Sequence, residues 1–247
     1  MNAAFVLGSQ RCGSTLFVRL LDEHSSIRIN RPVRPEPKFF LKENYAALGL
    51  EYYLSTYFGV QDTDFEGYLL EKSTSYVEHP YVIDRIKTFF PSPKLLIILR
   101  HPVIRAISNY KFSVENGLEP RTPEEVFLQG VPAPAQPATT SVFPFAYLER
   151  SNYPAQLQPF QKENIHYVIF EELLNDPQGE LAGVFSYLEL PAEIIPLPSK
   201  LPKINASQSS EAISEQVLEK IKEKLAGIIE ETEKMLDRDL SIWRDMF

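Results

Sequence analysis

Cysteine is almost missing from this chain: its 247 residues include one, Cys12. No disulfide can therefore close within it, which agrees with a reducing cytosol. Histidine is scarce, and His24, His79, His101 and His166 are too scattered for a metal-ligand pattern, so no metal site is expected. Positive charge is in deficit. A formal net charge of -8 argues against a duplex nucleic acid partner, because neutralising phosphates takes a basic face. Long apolar runs are also wanting. None approaches the ~20 residues of a membrane-spanning helix, and the first one ends at Gly8 with no basic segment before it. The expectation is a soluble, cytoplasmic protein with no membrane partner. With 44% hydrophobic residues the chain can bury a large core, and its length suits a single domain over 1–247.

What is present centres on Phe5 to Leu21, FVLGSQRCGSTLFVRLL. Phe5-Val6-Leu7 reads as a buried strand, and Leu16, Phe17, Leu20 and Leu21 recur at helical spacing. Strand, tight loop and helix follow one another. Gly8 and Gly13 free the backbone to curl its N–H groups inward, and Ser14 and Thr15 put hydroxyls where the helix begins. Such a loop suits a phosphate-like anion. It has the glycine spacing of a Walker A loop, yet Ser14 stands at the lysine position and the loop's cation is Arg11. An ordinary strand-to-helix turn is the plainer alternative.

Downstream, Ile27 and Ile29 suggest a short strand, and RPVRPEPKFF an extended loop, since prolines forbid regular helix. Glu36 is the one carboxylate among Arg28, Arg31, Arg34, Lys38 and Lys42. A lone carboxylate in such company suits a general base, or simply a surface ion pair. Leu50 to Phe58 follows helical spacing, and Tyr68-Leu69-Leu70 runs into Glu71-Lys72-Ser73, at a strand end where open α/β sheets bind ligands. Lys72 there either reaches an anion or is a solvated turn lysine. A helix over Tyr81 to Phe90 precedes Leu95 to Leu99, the apolar run of a strand covered on both faces. Arg100 ends that strand, and Ser108 lies on the next helix, Val103 to Val114.

Gly117 to Pro144 reads as a lid or acceptor-binding insertion, with a short helix opened by the Thr122-Pro123-Glu124-Glu125 capping box. Then come a helix around Tyr153 to Phe160, a strand at Ile165 to Phe170, a helix after Asp176-Pro177, a loop over Pro191 to Ser210, and one long amphipathic helix carrying Val217, Ile221, Leu225, Ile228 and Leu236. These elements predict an α/β chain, a three-layer P-loop-like fold with a central parallel sheet flanked by helices.

GSQRCGSTL, Arg100 with Ser108, EPKFF and EKSTSY together resemble the sulfotransferases that use 3'-phosphoadenosine 5'-phosphosulfate (PAPS), with motifs closest to the heparan sulfate O-sulfotransferase and tyrosylprotein sulfotransferase types. The resemblance implies that Arg11, Cys12, Gly13, Ser14 and Thr15 hold the 5'-phosphosulfate and that Arg100 and Ser108 hold the 3'-phosphate. It further implies that Asn205 and Ser207 lie in a loop closing over the cofactor, that Glu36 is the base, and that Arg11 and Lys72 are catalytic cations. Departures are Pro35, where lysine is usual, and His101, where an acidic or amide residue is commoner. The implied reaction is in-line sulfuryl transfer to a hydroxyl or amine of a small-molecule acceptor, such as a secondary metabolite, leaving 3',5'-adenosine bisphosphate (PAP) and requiring no metal. Other readings are a P-loop nucleotide or small-molecule kinase, and a non-catalytic nucleotide-binding protein.

Overall fold

The computed structural model describes residues 1–60, 65–138, 140–197, 201 and 212–246. In chain order the elements are β1 (Asn2–Gly8), α1 (Ser14–Leu21), β2 (Ile27–Ile29), α2 (Tyr45–Phe58), β3 (Tyr68–Lys72), α3 (Val82–Phe89), β4 (Lys94–Leu99), α4 (Pro102–Glu115), α5 (Pro123–Phe127), α6 (Tyr153–Leu157), β5 (Ile165–Ile169), α7 (Phe170–Asn175), α8 (Pro177–Tyr187), α9 (Glu215–Lys224), α10 (Ile228–Leu236) and α11 (Ser241–Arg244). They form two compact units, Met1–Leu99 with Pro159–Ile204, and Arg100–Gln158 with Asn205–Phe247.

The first unit holds a five-stranded parallel sheet in the order β2-β3-β1-β4-β5. Alternation along each strand sends successive side chains to opposite faces. Ala4 and Val6 of β1, Leu70 of β3, and Leu96 and Ile98 of β4 bury one face against Leu16, Phe17 and Leu20 of α1 and Leu181 and Val184 of α8. On the other face Phe5 meets Phe40 and Phe90 with ring centroids 5.8 and 5.7 Å apart, and Phe39 and Phe40 pack on Tyr53 of α2 and Phe89 of α3. Helices thus cover both faces, giving the three layers anticipated. Leu95 to Leu99 is buried throughout, as an uninterrupted apolar strand should be.

Four elements differ from the sequence reading. Helix α2 begins at Tyr45 rather than Leu50 and is interrupted at Gly49, whose φ of 80° lies in the left-handed region that glycine alone enters without strain. The helix expected through Phe160 ends at Leu157 and tightens into a 3-10 turn, Gln158–Phe160, at Pro159, which has no N–H to donate. Strand β5 stops at Ile169, and Phe170 opens α7 instead. The long closing helix is two helices, α9 and α10, separated where Gly227 takes a φ of 81°.

In the second unit, Val103, Ala106 and Tyr110 of α4 share a core with Phe127 of α5, Val217 and Ile221 of α9 and Ile228 of α10. The Thr122 capping box forms as expected, with Glu125 N–H donating to Thr122 Oγ1 at 3.2 Å and Thr122 N–H to Glu125 Oε2 at 2.7 Å. Polar side chains tie the irregular segment to α4. Buried Arg105 donates to Ser151 Oγ at 2.6 Å, Asn109 Nδ2 donates to the Pro144 carbonyl at 3.3 Å, and Tyr147 donates to Glu119 at 2.8 Å.

His101 caps α4, its Nδ1 accepting from Val103 N–H at 3.2 Å, and only an unprotonated Nδ1 can accept. Burial lowers its pKa to about 4, outweighing hydrogen bonds to backbone that favour the charged form. Since the unfolded imidazole titrates near ~6.5, the unfolded chain binds the extra proton between those values. Stability contributed here is complete above pH ~6.5 and is lost as pH falls toward about 4. His101→Asn keeps a capping acceptor without the titration, and its melting temperature should fall less steeply than the parent's over that window in a pH series of thermal melts.

Candidate functional site

The loop after β1 owes its shape to two backbone conformations. Arg11 and Gly13 take φ of 68° and 84°, both left-handed, and Gly13 stands at the N-cap of α1. The chain thereby doubles back so that Ser14 and Thr15, both buried, open the helix. Ser9 N–H anchors the loop's start to the Ile98 carbonyl at 2.9 Å. A Cβ at Gly8 would come within 2.7 Å of Val77, and one at Gly13 within 2.1 Å of the Phe170 ring. The loop is therefore packed against β4, Val77 and Phe170, with a cation, two hydroxyls and the first amides of an eight-residue helix as its donor set. Such donors fit a phosphate or sulfonate.

Parallel pairing places β3 beside this loop. Val6 lies opposite Lys72, two residues before Gly8, and Ser73 N–H donates to the Val6 carbonyl at 3.1 Å. Lys72 is 2% exposed, so it is no solvated turn lysine. Its Nζ lies 2.6 Å from Glu36 Oε1. The Glu36 carboxylate also accepts from Thr74, whose N–H lies 2.9 Å from Oε2 and whose hydroxyl lies 2.9 Å from Oε1. Burial pushes the Lys72 pKa down, Glu36 beside it opposes that, and the charges of Arg34 and Lys38 act with burial. An ammonium has three donors, and one of them is directed at Glu36.

Of the residues singled out in the sequence, Arg11, Cys12, Gly13, Ser14 and Thr15 form the loop, and Glu36 and Lys72 form one ion pair. Cys12 is fully buried. Arg100 and Ser108 belong to the second unit, Arg100 receiving the Tyr153 hydroxyl on its carbonyl at 2.6 Å and Ser108 lying within α4. Asn205 and Ser207 fall outside the described residues. Thr74 was not foreseen as a clamp on Glu36, although its place two residues after Lys72 in EKSTSY was a signal. Asn30 was also missed: its Oδ1 accepts Lys72 N–H at 2.9 Å and its Nδ2 donates to the Pro32 carbonyl at 2.7 Å, joining the proline loop to β3.

The model of the sulfotransferase family matches residues 3–193. A bifunctional heparan sulfate N-deacetylase/N-sulfotransferase 1 from Caenorhabditis briggsae is 23% identical over 197 residues, covering 75% of this chain and 22% of that protein. The human heparan sulfate glucosamine 3-O-sulfotransferase 6 is 28% identical over 190 residues, covering 76% of this chain and 52% of the relative. This chain thus spans about half or less of the length of these two relatives. Among solved structures, a sulfotransferase from Alicyclobacillus acidocaldarius shares the fold with a TM-score of 0.71 at 23% identity, covering 99% of each chain. A sulfotransferase domain from the curacin biosynthetic pathway reaches a TM-score of 0.56 at 19% identity, covering 97% of this chain and 98% of its own.

The packing of Gly13 makes one position of the loop sensitive. Gly13→Ala forces a side chain into the left-handed region and onto Phe170, and should lower the unfolding free energy by roughly 1–3 kcal/mol or more in urea titrations. Adding Phe170→Leu should restore only the part due to the clash. Full stability of the single variant would show that the loop backbone is free to relax.

Proposed function

This chain belongs to the sulfotransferase family, and from that membership we propose that it transfers a sulfuryl group from PAPS to a hydroxyl or amine of a small-molecule acceptor. PAPS supplies the activated sulfuryl group. The observation that carries the reading is the Lys72–Glu36–Thr74 arrangement on the strand paired with the anion loop's own strand. In this proposal Arg11, the loop amides from Cys12 and Gly13, and the Ser14 and Thr15 hydroxyls bind the 5' end of the donor. On the strength of the motif match Arg100 and Ser108 take the 3'-phosphate, and Asn205 and Ser207, outside the described residues, also contact the cofactor.

Glu36 is the general base: one carboxylate oxygen accepts the proton of the acceptor's hydroxyl or amine while Thr74 N–H keeps hold of Oε2. Arg11 and the Lys72 ammonium counter the negative charge on the transferred group, so the protein contributes positioning and electrostatics rather than a covalent step. A net charge of -8 disfavours long polyanionic acceptors and favours a neutral or cationic small molecule. The fold likeness to a domain from the curacin biosynthetic pathway is in keeping with a secondary metabolite as that acceptor.

Binding and turnover test this separately. The protein should bind PAP in preference to ATP without magnesium, and Glu36→Gln should lower kcat by about 10²–10⁴-fold while PAP affinity in calorimetry stays within about twofold. Equal loss of binding and turnover would remove Glu36 from the base role, and magnesium-dependent preference for ATP would favour a kinase.

A further inference from the structure

Glu71 precedes Lys72 on β3, and alternation sends its side chain to the opposite face of the sheet, where it is 0% exposed. Its carboxylate accepts three hydroxyls: Tyr53 at 2.7 Å on Oε2, and Ser73 at 2.5 Å and Tyr76 at 2.6 Å on Oε1. Burial raises the Glu71 pKa, and the three hydrogen bonds, which favour the charged form, offset that only in part. Each hydroxyl donates its one hydrogen to Glu71 and so turns its lone pairs away.

Those lone pairs have specific takers. Ser73 Oγ accepts the Lys38 N–H at 2.9 Å, and Tyr76 Oη accepts the Phe40 N–H at 3.1 Å. The two amides bracket the place where the Glu36 loop re-enters the sheet's packing: Lys38 takes a φ of 47° and caps the 3-10 turn Phe39–Leu41. Tyr53, the third partner, packs its ring on Phe39 and Phe40 with centroids 4.9 and 5.5 Å apart. Two hydroxyls and one ring thus lead from one buried carboxylate to the segment just after Glu36.

We propose that Glu71 is a positioning residue: by orienting the Ser73 and Tyr76 hydroxyls it pins the Lys38 and Phe40 amides, and so fixes Glu36 against Lys72 and Thr74. The proposal rests on the reading of Glu36 as the base. A general base must sit within hydrogen-bond reach of the proton it takes, and a displacement of about 1 Å can cost ~10²-fold in rate.

The test removes the relays and leaves Glu36, Lys72 and the loop residues intact. The double variant Ser73→Ala, Tyr76→Phe should lose about 30-fold in kcat while PAP affinity and the donor KM stay within about twofold. Amide hydrogen exchange at Lys38 and Phe40 should quicken, and Ser73→Thr, which keeps the hydroxyl, should retain parental kcat. If the double variant does not fold, the two single variants carry the same comparison. Parental kcat in a variant whose exchange has quickened, or a fall in PAP affinity parallel to kcat, overturns the positioning role. Glu36→Gln with parental turnover overturns the base reading, and this proposal with it. An inactive Glu36→Gln beside fully active relay variants overturns the positioning role alone.

Discussion

Burial of the Lys72 ammonium is the constraint around which the first unit is arranged. Taking a charge out of water costs several kcal/mol unless an opposite charge and further hydrogen bonds replace the solvent. The partner, Glu36, lies 36 residues earlier, so the proline-bearing loop has to return to the end of β3. Asn30 secures its start through Lys72 N–H, and Ser73 and Tyr76 secure its end through Lys38 and Phe40. A segment without regular structure is thereby held by polar side chains of the strand it covers. Its charges end beside the turn that follows β1.

β3 consequently serves two carboxylates at once. Lys72 and Thr74 hold Glu36 near the strand's end, 14% exposed at its side chain, while Glu71 is sealed on the opposite face among tyrosines and phenylalanines. Burial raises the pKa of both Tyr53 and Tyr76 well above the ordinary value, and Glu71 reinforces that, so neither phenol competes as an acid at neutral pH. They stay donors toward Glu71. The two carboxylates are thus held differently, Glu36 by an ammonium, an amide and a hydroxyl, and Glu71 by three hydroxyls.

Much of the fold was legible because it is locally encoded. Phe5-Val6-Leu7 and Leu95 to Leu99 announce strands by continuous apolar character, and Thr122 with Glu125 announces a helix start by its own side-chain hydrogen bonds. The boundaries that failed depend on distant neighbours or on single glycines. Phe170 leaves the strand pattern where its ring lies over Gly13, and Gly227 breaks a helix whose apolar spacing continues across the gap. The Glu36–Lys72 pair could not be decided from residues alone, because local charge is equally consistent with a surface pair and a solvated lysine. Its formation requires the parallel register of β1, β2 and β3, a non-local fact.

The outer border of the sheet at β2 has a consequence for the protein's behaviour in company. β2 is three residues long, pairs among the described residues with β3 alone, and carries exposed Arg28 at its middle, with Pro32 soon after. An exposed strand is a template on which a neighbouring molecule can add its own backbone, and brevity, charge and proline each spoil that template. On this side the sheet offers a passing chain too little unpaired backbone to begin a ribbon, so crowding is less apt to turn the folded molecule into a seed for aggregation.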